Sequence, residues 1–302
     1  MMQTQPTNAA PSRPASTSAR PSEILPITTR FELGAEITPE QHAFLDHYGF
    51  IIFSQVAKPD EVERIAEELN QIEAKWLAEG RKEVYGIPIF RGKGSEGQPF
   101  LQRLPFTSCF SEYLHGFLRD PHFDPVRRMI GEQTHVGDHE MDGLVANRNL
   151  NVPGSAYPRL GWHTDGLRDL FYLRMPKRML NVGLHLDRVQ REDGGLRVIP
   201  GSHKQGPLGF LFRKVYFLSH GEDAHEVAIE TQPGDLTLHD GRTWHRVEQS
   251  PHTGPRSLRR TLYFPFLTEQ FPIKDEQSKT PLYHYLGRAL RAGKRVTSRI
   301  KR

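Results

Sequence analysis

In the stretch "PRLGWHTDGLRD" (residues 158–169), an imidazole and a carboxylate, His163 and Asp165, stand two positions apart beside a tryptophan and between glycines. Residues two apart in an extended chain share a face, so these side chains converge while Thr164 points away. A neutral imidazole and a carboxylate together suit a divalent metal. A second histidine would complete the two-histidine, one-carboxylate facial set of non-haem Fe(II) oxygenases, which leaves three coordination positions open. His-x-Asp alone is also an ordinary surface-turn pattern, so the weight rests on what lies downstream. "GDLTLHDGRTWHRVEQS" offers His239 and His245, and "SLRRTLYF" offers Arg259 and Arg260 at the opening of a strand. A planar guanidinium grips a carboxylate through two parallel hydrogen bonds, which is what the far end of a dicarboxylic oxo-acid needs.

Other polar residues near this set have two readings each. Asn147 and Asn149 share one face of a strand and can contact a cosubstrate or a substrate. Tyr157, Arg168, Phe171, Tyr172 and Arg174 flank the metal motif in sequence and are the candidate substrate-selecting positions. His185, within "NVGLHLD", reads first as a satisfied core histidine. His203 reads as structural in a Pro-Gly-Ser-His turn. Trp162 and Trp244 each adjoin a candidate ligand and read as packing residues.

The elements that must position these groups are legible in part. Thr38, Pro39 and Gln41 form a capping-box start for a helix, followed by a short buried strand in "GFIIF". Residues 58–80 carry Val62, Ile65, Leu69, Ile72 and Trp76 at helical spacing, with Gly80 as a stop. Residues 86–100, rich in glycine and without a periodic apolar pattern, read as a mobile surface loop. From about 134 to 268, short runs of β-branched, aromatic and leucine residues alternate with Gly, Pro and Asp turns. That texture predicts a mainly β sandwich or barrel with flanking helices. Residues 1–30 are poor in large apolar side chains and read as a disordered tail. The main domain spans 31–275. The last stretch, 276–302, reads as a basic amphipathic helix with Leu282, Leu286, Ala289, Val296 and Ile300 on one side.

"GWHTDG", "DGGLRVIPGSHKQG", "PGDLTLHDGRTWHRV" and "RRTLYF" together resemble the phytanoyl-CoA dioxygenase family of Fe(II)/2-oxoglutarate oxygenases, over roughly residues 38–268. The resemblance implies a double-stranded β-helix, the cupin-like jelly roll. It implies His163, Asp165 and His245 as iron ligands and Arg259 as the 2-oxoglutarate clamp, with His239 and Arg260 as the competing choices. It implies Fe(II), 2-oxoglutarate and O₂ as cofactor and cosubstrates. The activity implied is a dioxygenase hydroxylating an unactivated C–H of a small-molecule or lipid-like substrate, with succinate and CO₂ as co-products. Related halogenases lack the carboxylate, so Asp165 favours hydroxylation.

Charge and composition limit the alternatives. The 302 residues carry a net charge of +4, but seven basic residues and no acid lie in 282–302. With those set aside, 33 basic residues face 36 acidic ones, which argues against nucleic acid as a partner. The basic tail raises peripheral membrane contact as an expectation. One cysteine, Cys109, excludes an internal disulfide and points to a cytoplasmic setting. A non-catalytic metal-binding jelly roll, or a cupin-type hydrolase or isomerase, would share the histidines but would not need the arginine clamp.

Overall fold

The structure, a computed structural model, describes residues 24–166, 169 and 176–281. Helix α1 (Pro39–Tyr48) starts at Thr38, whose hydroxyl accepts from Gln41 N while the Gln41 side chain accepts from Thr38 N. Strand β1 (Phe50–Phe53) follows. Helix α2 (Pro59–Ala78) then turns Val62, Ile65, Leu69, Ile72 and Trp76 inward, as their spacing predicts. Each such burial contributes on the order of 1.5–3 kcal/mol against leaving the side chain in water.

Residues 86–100 are not a loop. After β2 (Glu83–Val84) come β3 (Ile87–Pro88), β4 (Phe90–Lys93) and β5 (Pro99–Leu104), with β4 and β5 paired as a hairpin. The glycines mark turns between short strands, at Gly86 and Gly97, and a register irregularity at Phe90/Arg91 hides the alternation. Short helices α3 (Glu112–Phe117) and α4 (Asp124–Arg128) lead into β6 (His135–Val136), β7 (Val145–Asn149), β8 (Leu160–His163) and β9 (Met179–His185). Strand β10 (Gly195–Val198) is followed by α5 (Pro207–Phe212). The chain then forms β11 (Val227–Ala228), β12 (Leu236–Asp240), β13 (His245–Glu248) and β14 (Arg259–Leu267).

Apart from the small β2–β3 ribbon, these strands make two facing antiparallel sheets. The larger runs β1-β12-β9-β14-β7-β5-β4, with β6 also on β14, and the smaller runs β11-β10-β13-β8. The outer face of the larger sheet packs under the helices through Ile51, Phe53, Leu180, Val182, Leu184, Leu236, Leu238, Leu262, Phe264 and Phe266. Between the sheets, one part is filled by Phe50, Ile52, Leu196, Val198 and Ile229. The rest of that space is lined by polar side chains. This is the expected jelly roll.

Residues 24–30, assigned by composition to the tail, contact the body. Arg30 pairs with buried Asp235, and Tyr48 donates to Leu25 O at 3.1 Å. Of the stretch 276–302 expected as a basic helix, residues 276–281 form a turn and irregular chain rather than helix, and 282–302 lie outside the described residues, as do the rest of the tail (1–23) and Arg168, Phe171, Tyr172 and Arg174. Among the described residues no helix is long and apolar enough to cross a membrane.

Candidate metal centre

His163 ends β8 and His245 opens β13, and the two are direct cross-strand partners with ring centroids 4.1 Å apart. Asp165 lies beyond the strand end, in a turn. Its backbone N donates to Gly241 O at 2.8 Å, which ties that turn to the one preceding His245. Convergence of His163 and Asp165 therefore comes from this stitched pair of turns rather than from strand alternation alone. Thr164 faces away and shares a 2.9 Å hydrogen bond with the Tyr216 hydroxyl.

One ligand atom from each of His163, Asp165 and His245 falls within 4.8 Å of the others, the only such group found among the described residues. His163 Nδ1 lies 2.9 Å from Gly161 O, and His245 Nδ1 lies 3.0 Å from Thr243 O. A carbonyl can only accept, so both rings carry their proton on Nδ1 and present a bare Nε2 to the shared point. Burial holds both imidazoles below their usual range, which keeps them neutral as metal binding requires. Burial alone would raise the Asp165 carboxyl. The surrounding His245, His239 and His163 outweigh it and hold the group well below the ordinary carboxylate range. The donor set thus fits a divalent ion such as Fe(II) in residue type and protonation state.

His239 does not belong to that set. Its Nε2 sits 3.2 Å from Asp165 Oδ2, beside an Asn181 amide that donates to the same oxygen at 3.1 Å. His245 Nε2, in contrast, faces Asp165 Oδ1 at 3.8 Å.

The two arginines are separated by strand alternation. Arg260 turns outward and is held by both oxygens of Asp187, at 2.7 and 3.0 Å. Arg259 turns inward and is 6% exposed. Its hydrogen bonds go to two carbonyls, Glu248 O at 2.7 Å and Pro158 O at 3.4 Å, and its buried Nε has no partner. No carboxylate pairs with it among the described residues, and burial pulls its guanidinium down to about 10. A buried cation with no carboxylate in direct contact, only Asp193 and Glu248 nearby, is suited to a further carboxylate, so the cosubstrate fits this end as the metal fits the other.

Between them runs the inner face of the larger sheet. Register places Thr261 opposite both His185 and Asn147, Tyr263 opposite Gly183, and Asn149 opposite Arg259. A Cβ at Gly183 would meet the Tyr263 ring at 2.6 Å, so only glycine leaves that ring its place. Asn149 Nδ2 donates to Tyr157 O at 3.1 Å and so braces the turn after β7. Asn147 is the freer of the two amides, with a buried Oδ1 that lacks a partner. Tyr157 is buried and stacks edge-on to Phe90 rather than lying at the mouth. His185 is satisfied through Thr237 at 3.0 Å and Thr261 at 3.4 Å. His203 bonds Asp46 O, and Trp162 and Trp244 pack with Ile199, in line with their structural readings.

Asn181, Thr261, Tyr263 and Phe217 escaped the sequence reading. The period-two series Arg259-x-Thr261-x-Tyr263 was the available signal for two of them. Phe217 had none. It comes from the insertion after β10, with its ring 5.1 Å from that of His163 and its backbone at φ 59°. Gly161 makes room for it, since a Cβ there would lie 2.6 Å from Phe217 O.

A jelly roll carrying two neutral imidazoles and a carboxylate at one mouth, and a lone guanidinium deeper in, falls in the class of non-haem iron(II) oxygenases. Comparison with known proteins narrows this. The model of the phytanoyl-CoA dioxygenase family matches residues 45–257, and the chain belongs to that family. A probable alpha-ketoglutarate-dependent hypophosphite dioxygenase of Stutzerimonas stutzeri is 25% identical over 226 residues, 68% of this chain and 71% of that one. Among solved structures, EctD from S. alaskensis with 2-oxoglutarate and 5-hydroxyectoine superposes with a TM-score of 0.58. Its identity is 16%, over 84% of this chain and 86% of its own. EvdO2 from Micromonospora carbonacea var. aurantiaca, complexed with 2-oxoglutarate, gives 0.53 at 20% identity, over 80% and 95%. The protein is an Fe(II)/2-oxoglutarate-dependent dioxygenase.

Proposed function

We propose that the protein hydroxylates an unactivated C–H bond of a small, partly apolar or lipid-like substrate. In this reading His163, Asp165 and His245 hold the iron, and Arg259 takes the 5-carboxylate of 2-oxoglutarate. Bound iron and 2-oxoglutarate supply the O₂-activating chemistry, with succinate and CO₂ as co-products. The observation that carries the reading is that three free donor atoms gather within 4.8 Å of one another, while a buried guanidinium on the same inner face has no carboxylate in direct contact. The two Nδ1–H···O=C bonds fix which nitrogen each imidazole presents. Thr261, Tyr263 and Asn147 form the floor between the two ends and orient the cosubstrate.

What supports an apolar component is the segment that delivers Phe217. Leu208, Leu211, Phe212 and Val215 precede it, with Leu208 73% and Phe212 76% exposed. Phe217 itself is 38% exposed while it packs on His163. A bulky residue with φ near +60° costs about 1 kcal/mol or more, and such strain is characteristic of functional positions. An apolar ridge ending on a metal ligand favours a substrate whose hydrocarbon part leads to the reacting carbon. Peripheral membrane contact through 282–302 and a cytoplasmic setting belong to the same reading.

Anaerobic addition of Fe(II) and then 2-oxoglutarate tests the cofactor part, through a metal-to-ligand charge-transfer band in the visible. Succinate release across a panel of medium-chain acyl compounds, their polar analogues and hypophosphite tests the substrate part. The expected result is stimulation by the acyl compounds, reduced in Phe217→Ala. The relative from Stutzerimonas stutzeri is named for hypophosphite, which carries P–H rather than C–H bonds. Preferential turnover of hypophosphite or of the polar analogues overturns the C–H proposal. Liposome co-sedimentation with and without residues 282–302 tests the membrane part, and equal binding after truncation ends it.

A further inference from the structure

We propose that His239 and Asn181 act as a two-donor clamp that restricts Asp165 to a single metal-binding oxygen. They are thus positioning residues that keep three coordination positions free. The inference rests on the assignment of Asp165 as a ligand in the proposed function.

The two carboxylate oxygens of Asp165 sit in different surroundings. Oδ2 receives Asn181 Nδ2 at 3.1 Å and lies 3.2 Å from His239 Nε2. Oδ1 faces His245 Nε2 at 3.8 Å, on the side where the three ligand atoms gather. A carboxylate accepts only, so the His239 proton resides on Nε2. Its other nitrogen, Nδ1, is buried and has no partner, so all the hydrogen bonding of this ring is directed at Asp165. The clamp is rigidly mounted. His239 and Asn181 are direct cross-strand partners on the interior strands β12 and β9 of the larger sheet, and His239 is paired on its other side with Phe50 of the edge strand β1. Two adjacent interior strands therefore supply two N–H donors to one oxygen of a residue that itself lies in a turn.

The chemical consequence follows from counting positions. A facial triad leaves three of six octahedral positions. With the ion bound, 2-oxoglutarate and O₂ would need all three between them. A carboxylate with both oxygens free can chelate, and chelation by Asp165 would take one of those three. Two donors on Oδ2 satisfy its lone pairs and make chelation compete with two hydrogen bonds, both charge-assisted by the carboxylate. Partners of this kind typically change metal affinity by roughly 10–100-fold when removed. The same contacts explain why this chain has a histidine six residues before His245. It serves the carboxylate rather than the ion.

The test uses the full chain, freed of metal, and compares wild type, His239→Leu, His239→Gln, Asn181→Leu and His245→Ala. Anaerobic Co(II) titration, followed by its visible absorption, reads affinity and stoichiometry. Circular dichroism and thermal melting check that each variant is folded. The expected result is one Co(II) per chain throughout the clamp variants. Affinity should fall roughly 10–100-fold in His239→Leu and Asn181→Leu, with recovery in His239→Gln, whose amide restores a donor. His245→Ala should show no specific binding. At saturating Fe(II), His239→Leu should also need more 2-oxoglutarate to develop the charge-transfer band. Wild-type Co(II) affinity in both leucine variants overturns the clamp. So does complete loss in His239→Leu alone, which would make His239 a ligand. Absence of the 2-oxoglutarate band in the wild type, with the Co(II) pattern intact, would instead remove the cosubstrate reading and leave the clamp standing.

Discussion

The two faces of the larger sheet are built from the same strands and do opposite work. Outward from β9, β12 and β14 point Leu180, Val182, Leu184, Leu236, Leu238, Leu262, Phe264 and Phe266, all buried under the helices. Inward from the same strands point Asn181, Gly183, His185, Thr237, His239, Arg259, Thr261 and Tyr263. The period-two geometry of a strand makes this possible, because a single segment can contribute a core and a polar binding floor at once. The outer face is held by burial, which is non-directional and tolerates similar shapes. The inner face is held by specific hydrogen bonds, with a few groups such as Asn147 Oδ1 and Arg259 Nε left without partners. The lesson is that stability and chemistry are separable residue by residue along one strand, and substitutions on the two faces should fail differently.

The largest expected effect is on the outer face. Phe264 packs edge-on against Phe123 and Phe266, at centroid distances of 5.9 and 5.5 Å. Phe264→Ala should cost about 3–5 kcal/mol of unfolding free energy, read by urea denaturation. The fraction that remains folded should bind Fe(II) and 2-oxoglutarate as the wild type does. Loss of cofactor binding in the folded fraction would show that the two faces are not independent.

An inner-face residue should reveal itself through pH. Burial holds the His185 imidazole down to about 3 in the folded protein, against about 6.5 when exposed. The unfolded chain takes up this proton below about 6.5 while the folded one resists until about 3. The contribution is therefore fully present above 6.5 and lost progressively as the pH falls between those values. It amounts to on the order of 5 kcal/mol across the whole window. Comparing stability–pH curves of wild type and His185→Gln isolates it. The variant should lose that part of the acid slope, and parallel curves would place His185 in contact with solvent.

Arg259→Ala should leave the fold nearly unchanged, since the side chain bonds only two carbonyls. A charge-assisted bidentate contact is worth about 3 kcal/mol, so the 2-oxoglutarate Kd should rise roughly a hundredfold, measured by the charge-transfer band. Glutarate-like competitors should lose affinity in parallel.

Much of this was legible in the sequence, and the failures have physical causes. Thr38, Pro39 and Gln41 gave the first helix because capping is a local interaction. His163 and Asp165 were readable because metal chemistry restricts residue type and close spacing, whereas His245 was preferred to His239 only through the family resemblance. The β4–β5 hairpin was not, because turn glycines and a register shift mask alternation over such short strands. Asn181 was invisible because its role depends on a partner on a different strand, supplied by sheet register that no local pattern encodes. Phe217 was missed because an insertion carries it to the metal ligand, and its left-handed backbone contradicts the local preference of a bulky residue.

The smallest effect belongs to Arg260, and it gives the comparison its sharpest form. Arg259 and Arg260 are identical in type and adjacent in sequence, and alternation sends them to opposite faces. Arg260 is engaged by Asp187 through Nε at 3.0 Å and a terminal nitrogen at 2.7 Å, with the side chains 29% and 21% exposed. Water screens such a pair, so its loss should cost about 1 kcal/mol or less. Asp187 also accepts from Arg260 N at 2.7 Å, a bond that survives truncation of the side chain and further limits the damage. Arg260→Ala should therefore shift the urea midpoint slightly and leave the 2-oxoglutarate Kd within twofold of wild type. If Arg260→Ala instead weakens 2-oxoglutarate as much as Arg259→Ala does, facing direction has not decided function on this strand, and the clamp would have to draw on both arginines.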